Sequence, residues 1–198
     1  MTDLLFLPGA GASAAFWRPV ADRLALDQER RFFAWPGLGD EPHDPDVRDL
    51  DDLVAMVLAA IDEPVDLIAQ SMGGLVAVRV ALAAPQKVRR LVLTATSGGV
   101  RMDDLGAADW RAEYFQAFPH AARWIGEVRE DLSSRLPAVV APTLLLWGGA
   151  DPISPPAVGR RLLGLLPNAR LHVVAGAGHD LAQTHGDEAA AAIGEHLG

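Results

Sequence analysis

The sequence predicts an α/β fold: a mostly parallel central sheet of about six strands with helices on both faces. Two observations carry this prediction. Short runs such as Leu91-Val92-Leu93 and Leu144-Leu145-Leu146-Trp147 are apolar without alternation. Strands of that kind are buried on both faces, and they belong to parallel sheets covered by helices. Between the runs lie segments of helical spacing, and repeated strand–helix units produce right-handed crossovers and a parallel sheet.

The elements follow in order. Leu4–Leu7 reads as the first strand, cut off by Pro8-Gly9-Ala10-Gly11. Arg31–Trp35 is the second, followed from Gly37 to Asp49 by a surface loop rich in Pro, Asp and Gly. Leu50, Leu53, Val54, Val57, Leu58 and Ile61 have the spacing of an amphipathic helix. Val65–Gln70 is the third strand and runs into Met72–Ala84, a helix apolar nearly all round whose one charge is Arg79. That helix is expected to be the most buried. Arg89–Ala95 is the fourth strand. Thr143–Trp147 and Ala169–Val174 are the last two, each followed by a helix, Pro155–Leu166 and Asp187–Leu197.

Ser97–Leu136 interrupts the alternation with two helical stretches and no strand. Trp110, Tyr114, Phe115, Phe118 and Trp124 place five of the chain's twelve aromatic residues there. The segment is read as a short helical insertion over one end of the sheet, within one domain covering 1–198. Two ordinary helices packed on the core are the alternative.

Composition excludes several function classes. The 198 residues, 50% hydrophobic and 22% charged, suffice for a sizeable core without staples. There is no cysteine, hence no disulfide, thiolate metal site or cysteine nucleophile. The formal charge of −9 disfavours nucleic acid and anionic membranes as partners. No run approaches the ~20 apolar residues of a membrane span. Leu4 to Ala15 superficially resembles a signal peptide, but Asp3 stands where Lys or Arg belongs and Pro8-Gly9 breaks the run. The expectation is a cytoplasmic protein that acts on a small molecule, with no nucleic-acid or membrane partner. Histidines and carboxylates lack ligand spacing, so neither metal nor cofactor is expected.

The chemistry concentrates at strand ends. Ala69-Gln70-Ser71-Met72-Gly73 is a small-x-Ser-x-Gly elbow between a strand and a helix. A nucleophile on so sharp a turn has strained dihedrals, and only small residues fit two positions either side. The helix N-terminus behind it favours a developing oxyanion. Taken alone, Ser71 could equally be an N-cap. A serine hydroxyl needs an imidazole to take its proton and a carboxylate to orient that imidazole. Asp151 follows the strand Thr143–Trp147, and His179 follows Ala169–Val174 in Gly176-Ala177-Gly178-His179. Each has a bland reading, as a turn starter before Pro152 and as a loop histidine. Yet Ser, Asp and His then share the edge where open α/β sheets bind ligands. His185 is the nearest rival base, at the start of the final helix. Acyl transfer needs two donors for the oxyanion; the backbone N–H groups of Met72 and Ala10 are the candidates. A dinucleotide loop at Gly9-Ala10-Gly11-Ala12-Ser13-Ala14 is the main competing motif, and a phosphate loop is excluded because the single lysine is Lys87.

With these residues in place, the chain resembles the α/β-hydrolase family almost end to end. Leu7-Pro8-Gly9 is similar to its His-Gly oxyanion turn, with Pro8 for His. Trp35-Pro36-Gly37-Leu38-Gly39 is similar to its Asp-x-x-Gly-x-Gly loop, with Trp35 for Asp. Gln70-Ser71-Met72-Gly73-Gly74 resembles its His-Ser-Met-Gly-Gly elbow, with Gln70 for His. Trp147-Gly148-x-x-Asp151 and Gly178-His179 match its acid and base stations. The usual N-terminal antiparallel hairpin is missing, and residues 97–136 form a short lid for this family. The resemblance implies a serine hydrolase cleaving a small apolar ester or thioester through an acyl-enzyme. In that scheme Ser71 is nucleophile, His179 base and Asp151 its orienter, and Phe118 and Trp124 are expected on the pocket wall. The family also implies two alternatives on the same site, a carbon–carbon bond hydrolase and a lyase of the cyclohexadiene-synthase type. Both want pocket cations, with Arg18, Arg101, Arg111 and Arg123 available. A non-catalytic ligand-binding module is the alternative from another class.

Overall fold

Side chains alternate across a strand, and here that alternation divides the core in two. The computed structural model describes residues 3–198. Six strands, β1 (Leu4–Leu7), β2 (Arg30–Phe32), β3 (Val65–Gln70), β4 (Val88–Thr94), β5 (Thr143–Gly148) and β6 (Ala169–Val174), form one sheet. All neighbours are parallel, in the order β2-β1-β3-β4-β5-β6. Leu5, Leu7, Leu67, Ala69, Leu91, Leu93, Leu145 and Trp147 point to one face. There they meet helices α2 (Leu50–Ala59), α3 (Met72–Ala83) and α5 (Pro156–Leu165). Leu4, Phe6, Ile68, Val92, Leu144 and Leu146 point to the other face. They pack against α1 (Arg18–Ala21), α6 (Leu181–Thr184) and α7 (Gly186–Leu197). Helices on both faces are what continuously apolar strands require.

The chain leaves β1 toward β2 on one side and reaches β3 on the other. The strand order therefore reverses between β1 and β3, and a crevice opens there beyond the strands' C-terminal ends. The elbow after β3 and the glycine loop after β1 flank this point. As expected, α3 is the most buried helix, with eight of its residues buried. Its Arg79 reaches out to Asp51 at 2.6 Å and Glu130 at 3.2 Å, tying α2 and the insertion to the central helix.

The main departures from expectation lie at β2 and in the segment 97–136. β2 ends at Phe32 instead of reaching Trp35. Its partner β1 stops before Pro8, which has no N–H to continue the ladder, and only Phe33 N–H→Phe6 O (3.0 Å) extends the pairing. β6 is half-exposed at the sheet edge, where Arg170 and His172 pair with Glu195 and Glu188 of α7. The segment 97–136 holds one α-helix, α4 (Arg111–Ala117), where two helical stretches were expected. The second stretch, Arg123–Glu127, is a 3-10 turn. Pro119 ends α4 by turning Phe118 out of helical dihedrals (φ −124°, ψ 73°). No described helix is long and apolar enough to cross a membrane.

One charge sits inside this frame. Asp66 of β3 is fully buried, and both its oxygens are bonded by the Arg89 guanidinium of β4, one through Nε at 3.0 Å. Removing the partner would leave a buried carboxylate without its bonded cation, eased by the partial exposure of the Arg89 site. Arg89→Ala is therefore expected to lower unfolding free energy by about 2–3 kcal/mol, read as a lower urea midpoint at unchanged slope. Asp66→Val in the same chain should recover most of that loss.

Candidate active site

Strand β3 turns into α3 at Ser71, whose backbone is held at φ 53°, ψ −122°, a region that L residues rarely occupy. Two hydrogen bonds from β4 and beyond fix it there. Ser71 N–H donates to Thr94 O (3.0 Å), and the Thr96 hydroxyl donates to Ser71 O (2.6 Å). The turn is possible because Gly73 has no side chain. A Cβ there would lie 2.7 Å from Leu7 O and closer still to Pro8 O, both backbone atoms of the β1 loop. Gly9 faces the elbow from the other side, where a Cβ would lie 3.2 Å from Ser71 Cβ and run into the Gln70 amide. Ala69 is fully buried, and its methyl is accommodated.

The acid and base loops converge on the same point. His179 Nε2 lies 3.0 Å from Ser71 Oγ, and Nδ1 lies 2.8 Å from Asp151 Oδ2. The Asp151 side chain is wholly buried while that of His179 is 21% exposed, so the imidazole is the member that meets solvent and ligand. Asp151 cannot swing away. Its Oδ1 accepts N–H bonds from Ile153 (2.8 Å) and Ser154 (3.0 Å), closing a turn over Pro152. Ser154 in turn donates its hydroxyl to Thr96 O at 3.1 Å, which links the acid loop to the elbow. The base loop is held by Gln70 Nε2→His179 O at 3.3 Å. Close approach of Gly148 to the backbone at Ala177 and Gly178 sets the two loops side by side. His185 stands at the N-cap position of α7, and its Nδ1 contacts the Thr184 hydroxyl at 2.9 Å, so it takes no part in this contact chain. An imidazole between a hydroxyl and a carboxylate can take the hydroxyl proton while the carboxylate steadies the resulting cation.

A cavity of about 860 Å³ opens onto Ser71 and His179. Ala10 and Met72, the expected oxyanion donors, both line it beside Ser71. Neither N–H donates to another atom of the described residues. The rest of its lining mixes apolar side chains, Leu75, Val100, Met102, Trp110, Tyr114, Ile125 and Val128, with charged ones, among them Arg101, Asp103, Arg111, Glu113, Arg129, Glu130 and Asp131. Most of these come from the segment 97–136, which thus covers the Ser71 edge as its aromatic content implied. The particular aromatics differ from expectation. Trp110, the N-cap residue of α4, and Tyr114, one turn on, line the cavity; Phe118 and Trp124 do not. Phe118 leaves the helix axis at the C-cap and lays its ring on Gly11, one layer behind the wall. Trp124 packs into the main core cluster beside Ile125.

Several contributors were invisible in the sequence. Thr96, Ser154 and Tyr114 act through hydrogen bonds spanning 25 to 104 positions, with no local pattern to mark them. Trp35 and Gln70 were flagged only as departures from a motif; each proves to hold a backbone carbonyl of a site loop. Among the described residues no three His, Asp or Glu side chains converge as a metal site would require.

The model of the alpha/beta hydrolase family matches residues 4–192. The chain belongs to this family. A pimeloyl-[acyl-carrier protein] methyl ester esterase of Neisseria meningitidis serogroup B is 30% identical over 229 residues, covering 92% of this chain and 88% of that protein. The polyketide synthase ThaQ of Burkholderia thailandensis is 28% identical over 93% of this chain, which spans only 11% of that much longer protein. Among solved structures, a meta-cleavage product hydrolase from Pseudomonas fluorescens superposes with a TM-score of 0.81 at 19% identity, covering 100% of this chain and 90% of that one. An esterase from Thermogutta terrifontis does so with a TM-score of 0.81 at 20% identity, covering 100% and 89%. These structures share the fold, and the family places the chain among hydrolases.

The elbow geometry makes opposite predictions for two helical glycines. Alanine in a helix interior normally gains up to about 1 kcal/mol over glycine. Gly164→Ala, in open space on α5, should follow that rule and raise the melting temperature. Gly73→Ala should reverse it, lowering stability by about 2 kcal/mol or more as the new methyl pushes the β1 loop off the elbow. Thermal unfolding of the two variants side by side checks this.

Proposed function

We propose that this protein is a serine hydrolase that cleaves small apolar carboxylic esters, or thioesters, through an acyl-enzyme. The observation that carries the reading is the contact chain Ser71 Oγ–His179 Nε2–His179 Nδ1–Asp151 Oδ2, at 3.0 and 2.8 Å, opening into a cavity lined in part by apolar and aromatic side chains. In the first half-reaction His179 takes the Ser71 proton as Oγ bonds to the carbonyl carbon. The carbonyl oxygen becomes an oxyanion held by the N–H groups of Ala10 and Met72. Collapse expels the alcohol or thiol, which receives its proton from His179. In the second half-reaction water repeats the sequence on the acyl group and frees Ser71. Asp151 keeps the imidazole in the right tautomer and stabilises its cation. The esterase relatives agree with this chemistry.

The cavity supports a compact substrate. Its volume of about 860 Å³ falls in the range of small-molecule sites. The carbon–carbon alternatives call for a free pocket cation, and the arginines offer little. Arg101 and Arg111 line the cavity but pair with Asp103 (2.6 Å) and Asp109 (2.7 Å). Arg18 and Arg123 stack on Phe32 and Phe115 and do not line it. Arg129, at the mouth, bonds to the carbonyls of Gly126 and Val128. The contact chain through Ser71 also weighs against a purely ligand-binding module.

Ser71→Ala should fold normally and lose about 10⁴-fold or more in kcat on p-nitrophenyl butyrate. A variant keeping a tenth of the turnover would sink the assignment. Trp110→Ala should raise KM for the same ester about fivefold to tenfold and leave kcat within threefold, because it removes binding area that ground and transition states share. A p-nitrophenyl ester series should peak at short to medium acyl chains.

A further inference from the structure

The loop that presents Ala10 is flanked by two glycines, Gly9 and Gly11, and a peptide between glycines turns over readily unless something holds it. Its carbonyls are held one after another. Leu7 O accepts from the Trp17 indole N–H (3.1 Å) and Pro8 O from the Trp35 indole N–H (2.8 Å). Gly9 O accepts from Ala12 N–H (3.2 Å), and Ala10 O accepts from the Tyr114 hydroxyl (3.1 Å). The first three donors come from the sheet layers and from the loop itself. The fourth comes from α4, in the insertion that roofs the cavity. The same hydroxyl accepts Gly39 N–H at 3.0 Å, so its hydrogen is committed to Ala10 O.

We propose that Tyr114 is a positioning residue for the oxyanion site: its hydroxyl pins the peptide after Ala10 and thereby aims the Ala10 N–H at the developing oxyanion. This rests on the hydrolase reading above. The two peptide planes that meet at the Ala10 Cα are fixed by Gly9 O and by Ala10 O. With the second released, the Ala10–Gly11 peptide can rotate and carry the Ala10 backbone out of line with Ser71. Of the four hydrogen bonds, the Tyr114 bond is the one that makes this alignment depend on the insertion being seated. The Tyr114 ring is buried among Trp110, Phe115 and Phe118, and its Phe118 neighbour covers Gly11. Burial pushes the phenol pKa above its ordinary value, and the Asp40 carboxylate pushes the same way, against the Gly39 N–H bond, so the hydroxyl stays protonated at neutral pH.

Tyr114→Phe removes the hydroxyl and keeps the ring. Three quantities are measured on p-nitrophenyl butyrate: kcat per active site titrated with a fluorophosphonate, KM, and the Ki of a trifluoromethyl ketone that adds to Ser71 as a tetrahedral oxyanion. The expected result is kcat down about tenfold, Ki up by a similar factor and KM within twofold, because a lost transition-state contact spares ground-state binding. A kcat per titrated site within twofold of wild type would overturn the proposal, as would a fall in kcat with Ki unmoved. Wild-type protein that neither labels with the fluorophosphonate nor turns over any ester would instead fail the hydrolase reading, and this inference with it. A second route covers poor folding of the variant. Tyr114 is the chain's one tyrosine, so biosynthetic trifluorotyrosine replaces it alone and lowers the phenol pKa without changing its shape appreciably. Turnover of that protein should fall as the phenol ionises, followed by absorbance, over a pH range where the unsubstituted protein is flat. Superimposable pH profiles would overturn the proposal.

Discussion

The approach of the β3–α3 turn to the β1 loop at Gly73 is the constraint on which the site depends. At that point one backbone passes so close to another that even a methyl group has no room. The proximity holds Ser71 in its positive-φ conformation and puts Ala10, Ser71 and Met72 on the lining of one cavity. A strained residue persists only where its surroundings over-determine it. Here the surroundings are Thr94, Thr96 and the glycines on both sides.

The loops that carry Asp151 and His179 have little regular structure of their own, and they are immobilised by a small hydrogen-bond network. Thr96 stands at its centre. Its hydroxyl holds Ser71 O and accepts Gly98 N–H, while its carbonyl receives the Ser154 hydroxyl. Elbow, acid loop and the start of the insertion are thereby braced on one threonine. A buried network whose members are all bonded is rigid, and a site that must hold two contacts near 3 Å benefits from that rigidity.

The segment 97–136 does more than cover the cavity. Besides Tyr114, it is anchored by Ala108 N–H to Pro152 O (2.8 Å) at the acid loop and by Ala122 N–H to Gly37 O (2.8 Å). Arg79 adds a tether to Glu130. A short insertion with so many backbone attachments is part of the scaffold, and its aromatic residues divide between wall and support. Trp110 and Tyr114 face the cavity, while Phe118 and Trp124 fill the layer behind.

How much of this was legible in the sequence follows from range. Strands of unbroken apolar residues, helices of 3–4 spacing and the small-x-Ser-x-Gly turn are local patterns. They sufficed for the parallel sheet and for expecting Ser71, Asp151, His179, Ala10 and Met72 at one of its edges, where the structure brings them around one cavity. The place of each aromatic side chain in the insertion was not legible, because direction depends on where a helix ends and on what lies opposite. Pro119 stops α4 and sends Phe118 onto a glycine more than a hundred positions earlier. The hydroxyls and indoles that hold the loops were hidden for the same reason. A donor such as Tyr114 finds its acceptor across 104 residues, and no periodicity records that distance. The amino-acid sequence by itself determined the alternation of strand and helix and the chemical types at the strand ends. The tertiary structure alone decided which side chains line the pocket and which hold the backbone in place, since those contacts exist only once the sheet has brought distant loops together.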